Sequence, residues 1–161
     1  MKMEKLLKKI SENRLAVLVL SLYSHLCVIL SAALFLITVY SAYLSSVMSA
    51  ISLAFSLAVP FVLVSLLRVV INAPRPYEVF EIFENLPKNK KGRSFPSRHA
   101  FSVFAISVTA LPVYPVLAAI LMLLGIGLCV ARVLLGIHFV RDVAAGALIG
   151  IISALLGIII L

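Results

Sequence analysis

Apolar stretches long enough to cross a bilayer fill most of this chain, and they leave its backbone few conformations. From Leu15 to Tyr40, and again from Val47 up to Arg68, no Asp, Glu, Lys or Arg interrupts the run. Each run reaches or exceeds the roughly 20 residues with which a helix spans a hydrocarbon core. No water is present there to bond a free N–H or C=O, so the backbone must satisfy itself as helix. Two further runs, Pro115 to Gly136 and His138 to Leu161, are of similar length, and Pro115 suits a first helical turn. A shorter run opens at Pro96-Ser97, with Ser97 as N-cap, and ends before Pro112. At ~1.5 Å per residue it covers only about 22 Å of a core roughly 30 Å thick. Its charged start therefore sits below the headgroups or thins the bilayer. Composition agrees, with 63% hydrophobic and 12% charged residues against about 25% charged in a soluble domain. The expectation is an all-α polytopic membrane bundle of about five transmembrane helices. Residues 1–161 form one domain, in which residues 1–14 are a basic, mildly amphipathic segment on the membrane surface. The apolar run behind that segment is longer than a signal-peptide core and reads as a retained anchor.

Connectivity then decides where the charges go. Five crossings place the N-terminus, the polar segment from Asn72 to Ser97 and the turn at Gly136 to His138 on one face, and every charged residue falls on that face. The opposite face has only neutral turns, with Tyr40, Tyr43 and Tyr114 suited to an aromatic belt. The positive-inside rule makes the charged face cytoplasmic, since Lys2, Lys5, Lys8, Lys9, Arg14, Lys88, Lys90, Lys91 and Arg93 flank it. The formal charge of +8 does not indicate nucleic acid, because the basic residues lie at membrane edges and not on a soluble face.

Three clusters converge on the charged face: Arg68 with Arg75, the run Ser94 to His99, and Arg132 with His138 and Asp142. Ionisable groups beside apolar spans are costly, so such clusters read as a functional site. Three arginines, two histidines and a single carboxylate suit an oxyanion better than a divalent metal, which wants several oxygen ligands. No metal and no cofactor are expected. The guanidinium forks of Arg68, Arg75 and Arg132 match phosphate geometry. Free backbone amides at Ser97 and Arg98, at a helix start, would add to a phosphate cradle. His138 and Asp142 are four residues apart, so the carboxylate can hold one imidazole nitrogen and leave the other as a nucleophile. His99 is then free to donate a proton.

These residues resemble the signature of the type 2 phosphatidic acid phosphatases. Arg68 through Pro76 resembles the motif KxxxxxxRP, Pro96 to His99 resembles PSGH, and Ala131 to Asp142 resembles SRxxxxxHxxxD, in that order and over about half the chain. The resemblance implies a helical core like that of these phosphatases and of the haloperoxidases. It also implies that His138 attacks phosphorus, that Asp142 orients it, and that His99 protonates the leaving oxygen and later activates water. Arg68, Arg75, Ser97, the Arg98 amide and Arg132 would hold the phosphoryl oxygens. Arg68 replaces the family lysine, Arg98 the glycine of PSGH, and Ala131 the serine of the third motif. The Arg98 side chain adds a contact to a diphosphate or an anionic headgroup. The implied activity is metal-independent hydrolysis of a lipid or isoprenoid phosphate or diphosphate monoester through a phosphohistidine. The alternatives are a catalytically silent lipid-phosphate binder or transporter, and a phosphatase of a soluble ester.

Other features carry blander readings. Cys27 and Cys129 are packing residues, and His25 is a helix contact near Ser21 and Ser24 or part of a substrate channel. Pro60 marks a kink site in the second span. Arg141 either meets a headgroup phosphate or snorkels. Lys88 to Arg93 is a topogenic, lipid-attracting loop or one that steers substrate, and Glu78, Glu81 and Glu84 line the wet face of a short interfacial helix whose Phe80 and Phe83 touch lipid. Gly146 and Gly150 form a GxxxG face that serves packing within the bundle or association into a homo-oligomer.

Overall fold

The computed structural model describes residues 2–80 and 91–160. Those residues form seven helices: α1 (Lys2–Glu12), α2 (Arg14–Ser45), α3 (Val47–Ile71), α4 (Pro76–Val79), α5 (Arg98–Ala110), α6 (Pro115–Leu134) and α7 (Val140–Ile160). Four of them, α2, α3, α6 and α7, belong to segments long and apolar enough to cross a membrane. Their outer faces present Leu18, Leu22, Leu66, Ile120 and Leu155, a surface suited to lipid and unsuited to water. The α3 helix runs through Pro60 without interruption. Glu81, Phe83, Glu84, Lys88 and Lys90 lie outside the described residues; of the expected surface helix, α4 is the described part.

The third of the five expected spans is the short one: α5 has 13 residues and is not among the four helices long enough to cross. It packs against α2, α3, α6 and α7, and nine of its residues, from Ala100 to Ala110, are buried. Among them Phe101, Val103, Ala105 and Val108 face different neighbours, as an element apolar on all sides must. Buried hydroxyls raise no conflict, since Ser107 and Thr109 donate to the carbonyls of Val103 and Ala105 one turn back.

Glycine sets the spacing of this core. A Cβ at Gly146 would overlap the carbonyl oxygen of Ser97, and a Cβ at Gly150 would overlap that of Phe101. The GxxxG face of α7 is thus occupied by α5 of the same chain. On the far side, Tyr40 and Tyr43 are exposed as expected of an aromatic belt. Tyr114 is half-buried at the same end: its hydroxyl meets Ser41 Oγ at 2.5 Å and its ring packs on the core, where α6 starts beside the end of α2.

On the charged side α1 folds back along the bundle. Its Leu7 is buried against Met3, Val17, Tyr77 and Phe80, and Phe80 stands edge-on to Phe139 with ring centroids 6.3 Å apart. The N-terminal segment, α4 and the turn before α7 therefore share one end of the molecule.

Gly150→Leu should be strongly destabilising, by about 1–3 kcal/mol or more for overpacking against backbone that cannot withdraw. A fall in the unfolding temperature of the detergent-solubilised protein measures it. A wild-type unfolding temperature would show that α5 and α7 do not pack as closely as described.

Candidate active site

The turn between α6 and α7 presents the first histidine. Gly136 adopts φ 65°, the left-handed geometry that ends a helix, and the amides of Ile137 and His138 return to the Arg132 carbonyl. The Gly136 carbonyl accepts from the Tyr77 amide, which ties the turn to α4. His138 is buried at 1% exposure and Asp142, in the first turn of α7, at 0%. Asp142 Oδ2 accepts from the Phe139 amide at 2.9 Å, closing the helix start on itself.

The expected direct bond from carboxylate to imidazole is not made. His138 Nδ1 and Asp142 Oδ2 are 3.7 Å apart, beyond hydrogen-bond reach. Ser94 stands between them: its Oγ donates to Asp142 Oδ2 at 2.5 Å and lies 3.4 Å from His138 Nδ1. With its proton on Asp142, the hydroxyl has lone pairs for Nδ1–H, which leaves the lone pair of the imidazole on Nε2. Sequence reasoning placed Ser94 in the cluster and gave it no role. Nothing in its spacing distinguishes it, because the contact spans 48 positions of sequence.

The Ser97 amide is a second correction. It donates to the Asp142 carbonyl at 2.9 Å and is not free for a ligand, since α7 is drawn against the start of α5. Ser97 does cap α5, with its hydroxyl 3.5 Å from the Ala100 amide. The Arg98 and His99 amides keep the unpartnered geometry of a helix start.

The arginines arrive from three elements. Arg68, in the last turn of α3, donates through Nη1 to the Pro96 carbonyl at 2.6 Å, and Arg75 donates through Nε to Gly92 O at 2.9 Å. Both are buried, and each keeps guanidinium N–H groups beyond those bonds. Arg132, at the end of α6, places Nη2 3.3 Å from His99 Nδ1, while its buried Nε has no hydrogen-bond partner. A guanidinium only donates, so His99 Nδ1 accepts there and the ring proton sits on Nε2. Arg141 is mostly exposed over the Phe139 ring, yet its Nε approaches Asp142 Oδ1 to 3.5 Å. Arg98 extends outward over the Phe61 ring at 5.8 Å. The structure thus brings together His99, His138, Asp142, Arg68, Arg75 and Arg132. His25 is elsewhere, its Nδ1 donating to the Ser21 carbonyl at 2.7 Å, and Cys27 is core.

A sequence model of the PAP2 superfamily matches residues 49–161. The structure resembles that of LpxE from Aquifex aeolicus, with a TM-score of 0.71 and 25% identity, over 96% of this chain and 93% of that one. It also resembles a transmembrane PAP2-type phosphatidylglycerolphosphate phosphatase from Bacillus subtilis, with a TM-score of 0.66 and 20% identity, over 99% of this chain and 84% of that one. A bacitracin transport permease protein of Bacillus licheniformis is 30% identical over 81 residues, half of this chain. The matched segment is 40% of that relative's length.

Burial, opposed by the nearby Asp142 carboxylate but seconded by the repulsion of Arg132, Arg75 and Arg68, lowers the pKa of His138 from 6.5 to about 4. The unfolded chain then takes up this proton first as pH falls, so folding stability should drop between pH 6.5 and about 4. The full contribution of one such group is on the order of 3 kcal/mol. Unfolding temperatures across that window should fall less for His138→Asn than for wild type. Equal falls would mean that His138 titrates normally.

Proposed function

The chain belongs to the PAP2 superfamily, and from that premise we propose that it is a membrane phosphatase acting on a lipid or isoprenoid phosphate or diphosphate monoester through His138. The observation that carries the reading is the Ser94 bridge: Nδ1 of His138 is turned toward a hydroxyl that is itself committed to Asp142, so Nε2 is the nucleophilic atom.

In the proposed first step the Nε2 lone pair attacks phosphorus, the bond from phosphorus to the leaving oxygen breaks, and His99 delivers a proton to that oxygen. The product is a phosphohistidine. In the second step His99 takes a proton from water, the hydroxide attacks phosphorus, the P–N bond breaks, and inorganic phosphate leaves. Charge on the phosphoryl oxygens is met by Arg68, Arg75 and Arg132 together with the Arg98 amide, while Ser97 holds the loop as cap. Arg132 also ties acid to substrate. In the free site it occupies His99 Nδ1. A phosphoryl group that draws this guanidinium away frees Nδ1 for the proton the acid needs, and the unpartnered Nε is a ready donor to the same group.

A second reading is a lipid-phosphate binder or transporter without chemistry, favoured by the permease description of the Bacillus licheniformis relative. Phosphate release by purified protein with a chelator present separates the two. Release is expected to survive the chelator and to vanish in His138→Ala. His99→Ala should cost roughly 10²–10⁴-fold. Ser94→Ala should lower kcat on the order of 10²-fold with little change in KM, below the ~10⁴-fold effect of disabling a triad carboxylate, and Ser94→Thr should restore part of it. No release from folded protein, on phosphatidic acid, phosphatidylglycerol phosphate, undecaprenyl diphosphate or a soluble ester, would favour the binder.

We further propose that the site faces the cytoplasm, because Lys5, Lys8, Lys9, Arg14, Lys91 and Arg93 are exposed at its end of the bundle. In a background lacking Cys27 and Cys129, a single cysteine at Ser45 should react with an impermeant reagent in intact cells and one at Lys91 should not. The reverse pattern would overturn the orientation.

A further inference from the structure

Two cavities meet at Arg98, and their chemistry is opposite. One, of about 620 Å³, lies between the last turns of α3 and the loop before α5, and five cations border it: Arg68, Arg75, Lys91, Arg93 and Arg98. Among the described residues no carboxylate lines it, and Glu78 is engaged with the Gly92 amide beside it. The other, of about 410 Å³, lies between α2, α3 and α5 and is bordered by Val28, Phe35, Phe61 and Ile106, with Arg98 and His99 at its polar end.

The basic cavity is built and is not merely a solvated face. Both sides of Gly92 are pinned, its amide to Glu78 Oε1 at 2.7 Å and its carbonyl to Arg75 Nε at 2.9 Å. The Ser94 amide is held by the Ala73 carbonyl at 2.9 Å. Gly92 and Arg93 take left-handed backbone angles of 65° and 54°, so the loop flanks the cavity with Lys91 and Arg93 on either side of the pinned peptide. Arg98 is fixed over the Phe61 ring. Five cations around one concavity focus a positive field that favours an anion there.

Only part of this wall serves the reacting phosphoryl group. Arg68 and Arg75 bond the backbone of residues 92–96, from which Ser94 reaches His138. Lys91, Arg93 and the Arg98 side chain make no such link among the described residues, and all three border the cavity. We propose that the cavity is a second anion subsite: it takes the anionic group of the substrate that is not transferred, while the apolar cavity beyond Arg98 takes the hydrocarbon that follows it. The proposal rests on the phosphatase reading. The ligand chemistry is a phosphate carried in addition to the scissile one, supplied either by the inner phosphate of a prenyl diphosphate or by the phosphodiester of an anionic phospholipid headgroup.

Matched substrate pairs test it in full-length protein in detergent: farnesyl diphosphate against farnesyl phosphate, and phosphatidylglycerol phosphate against phosphatidic acid. Wild type should prefer the two-phosphate member of at least one pair by about tenfold or more in kcat/KM, and the pair that shows it identifies the source. In Lys91→Ala with Arg93→Gly that preference should shrink by about tenfold, while Arg93→Lys should retain most of it. No preference in either pair overturns the subsite and leaves the phosphatase standing, as does a preference that survives removal of the charges in a variant with wild-type unfolding temperature. If wild type turns over none of the four, the phosphatase reading has failed and calorimetry decides the subsite. His138→Ala should then bind inorganic diphosphate at least about tenfold more tightly than inorganic phosphate, and equal binding overturns the proposal.

Discussion

The approach of α7 to α5 across Gly146 and Gly150 is the contact on which the site depends. Two missing methyl groups let backbone meet backbone, and the bond from the Ser97 amide to the Asp142 carbonyl follows from that closeness. This bond joins the second and third motifs through main chain, where side-chain freedom cannot loosen it. Ser94, three residues before Ser97, then comes within reach of both Asp142 and His138. Widening the interface by the thickness of a methyl group would separate a hydroxyl from a carboxylate that are poised at contact. In a membrane interior the hydrophobic effect draws helices together less than it does in water, so small residues and polar bonds carry more of the packing.

Much of this architecture was legible because its causes are local. Run length gave the spans, the short fifth helix declared itself by the distance from Pro96 to Pro112, and the even number of crossings between clusters put the charges at one end. The convergence of Arg68, His99, Arg132, His138 and Asp142 was readable on the same ground. What escaped was set by side-chain reach between distant segments. Position alone makes Ser94 one serine among many and makes the Ser97 amide look free. The direct pairing of His138 with Asp142 was a reasonable inference from four-residue spacing, but it assumed helix at both positions, and α7 begins only at Val140.

Placing cations in an apolar scaffold is expensive, and the bundle offsets the cost with backbone carbonyls in place of carboxylates. Arg68 and Arg75 are each anchored by a main-chain oxygen from the segment before α5. A carboxylate there would neutralise the charge; a carbonyl fixes the head and leaves its field available to an anion. Two buried polar atoms, Arg132 Nε and Asp142 Oδ1, lack a hydrogen-bond partner among the described residues, and both lie at this site. Such unmet groups are uncommon in protein interiors, and of the two Arg132 Nε is the donor that an anion can meet.

The anchoring of Arg68 also bears on the order in which the chain is made. Its carbonyl partners, Ser94 and Pro96, are 26 and 28 positions downstream. Synthesis proceeds from the N-terminus, so α3 reaches the membrane with a guanidinium at its end before the groups that will hold it exist. Until then that end must stay in the wet interface, hydrated or paired with lipid phosphates, and it can settle only when α5 arrives. The Arg68 guanidinium can therefore take up these carbonyls only after the segment before α5 has been made.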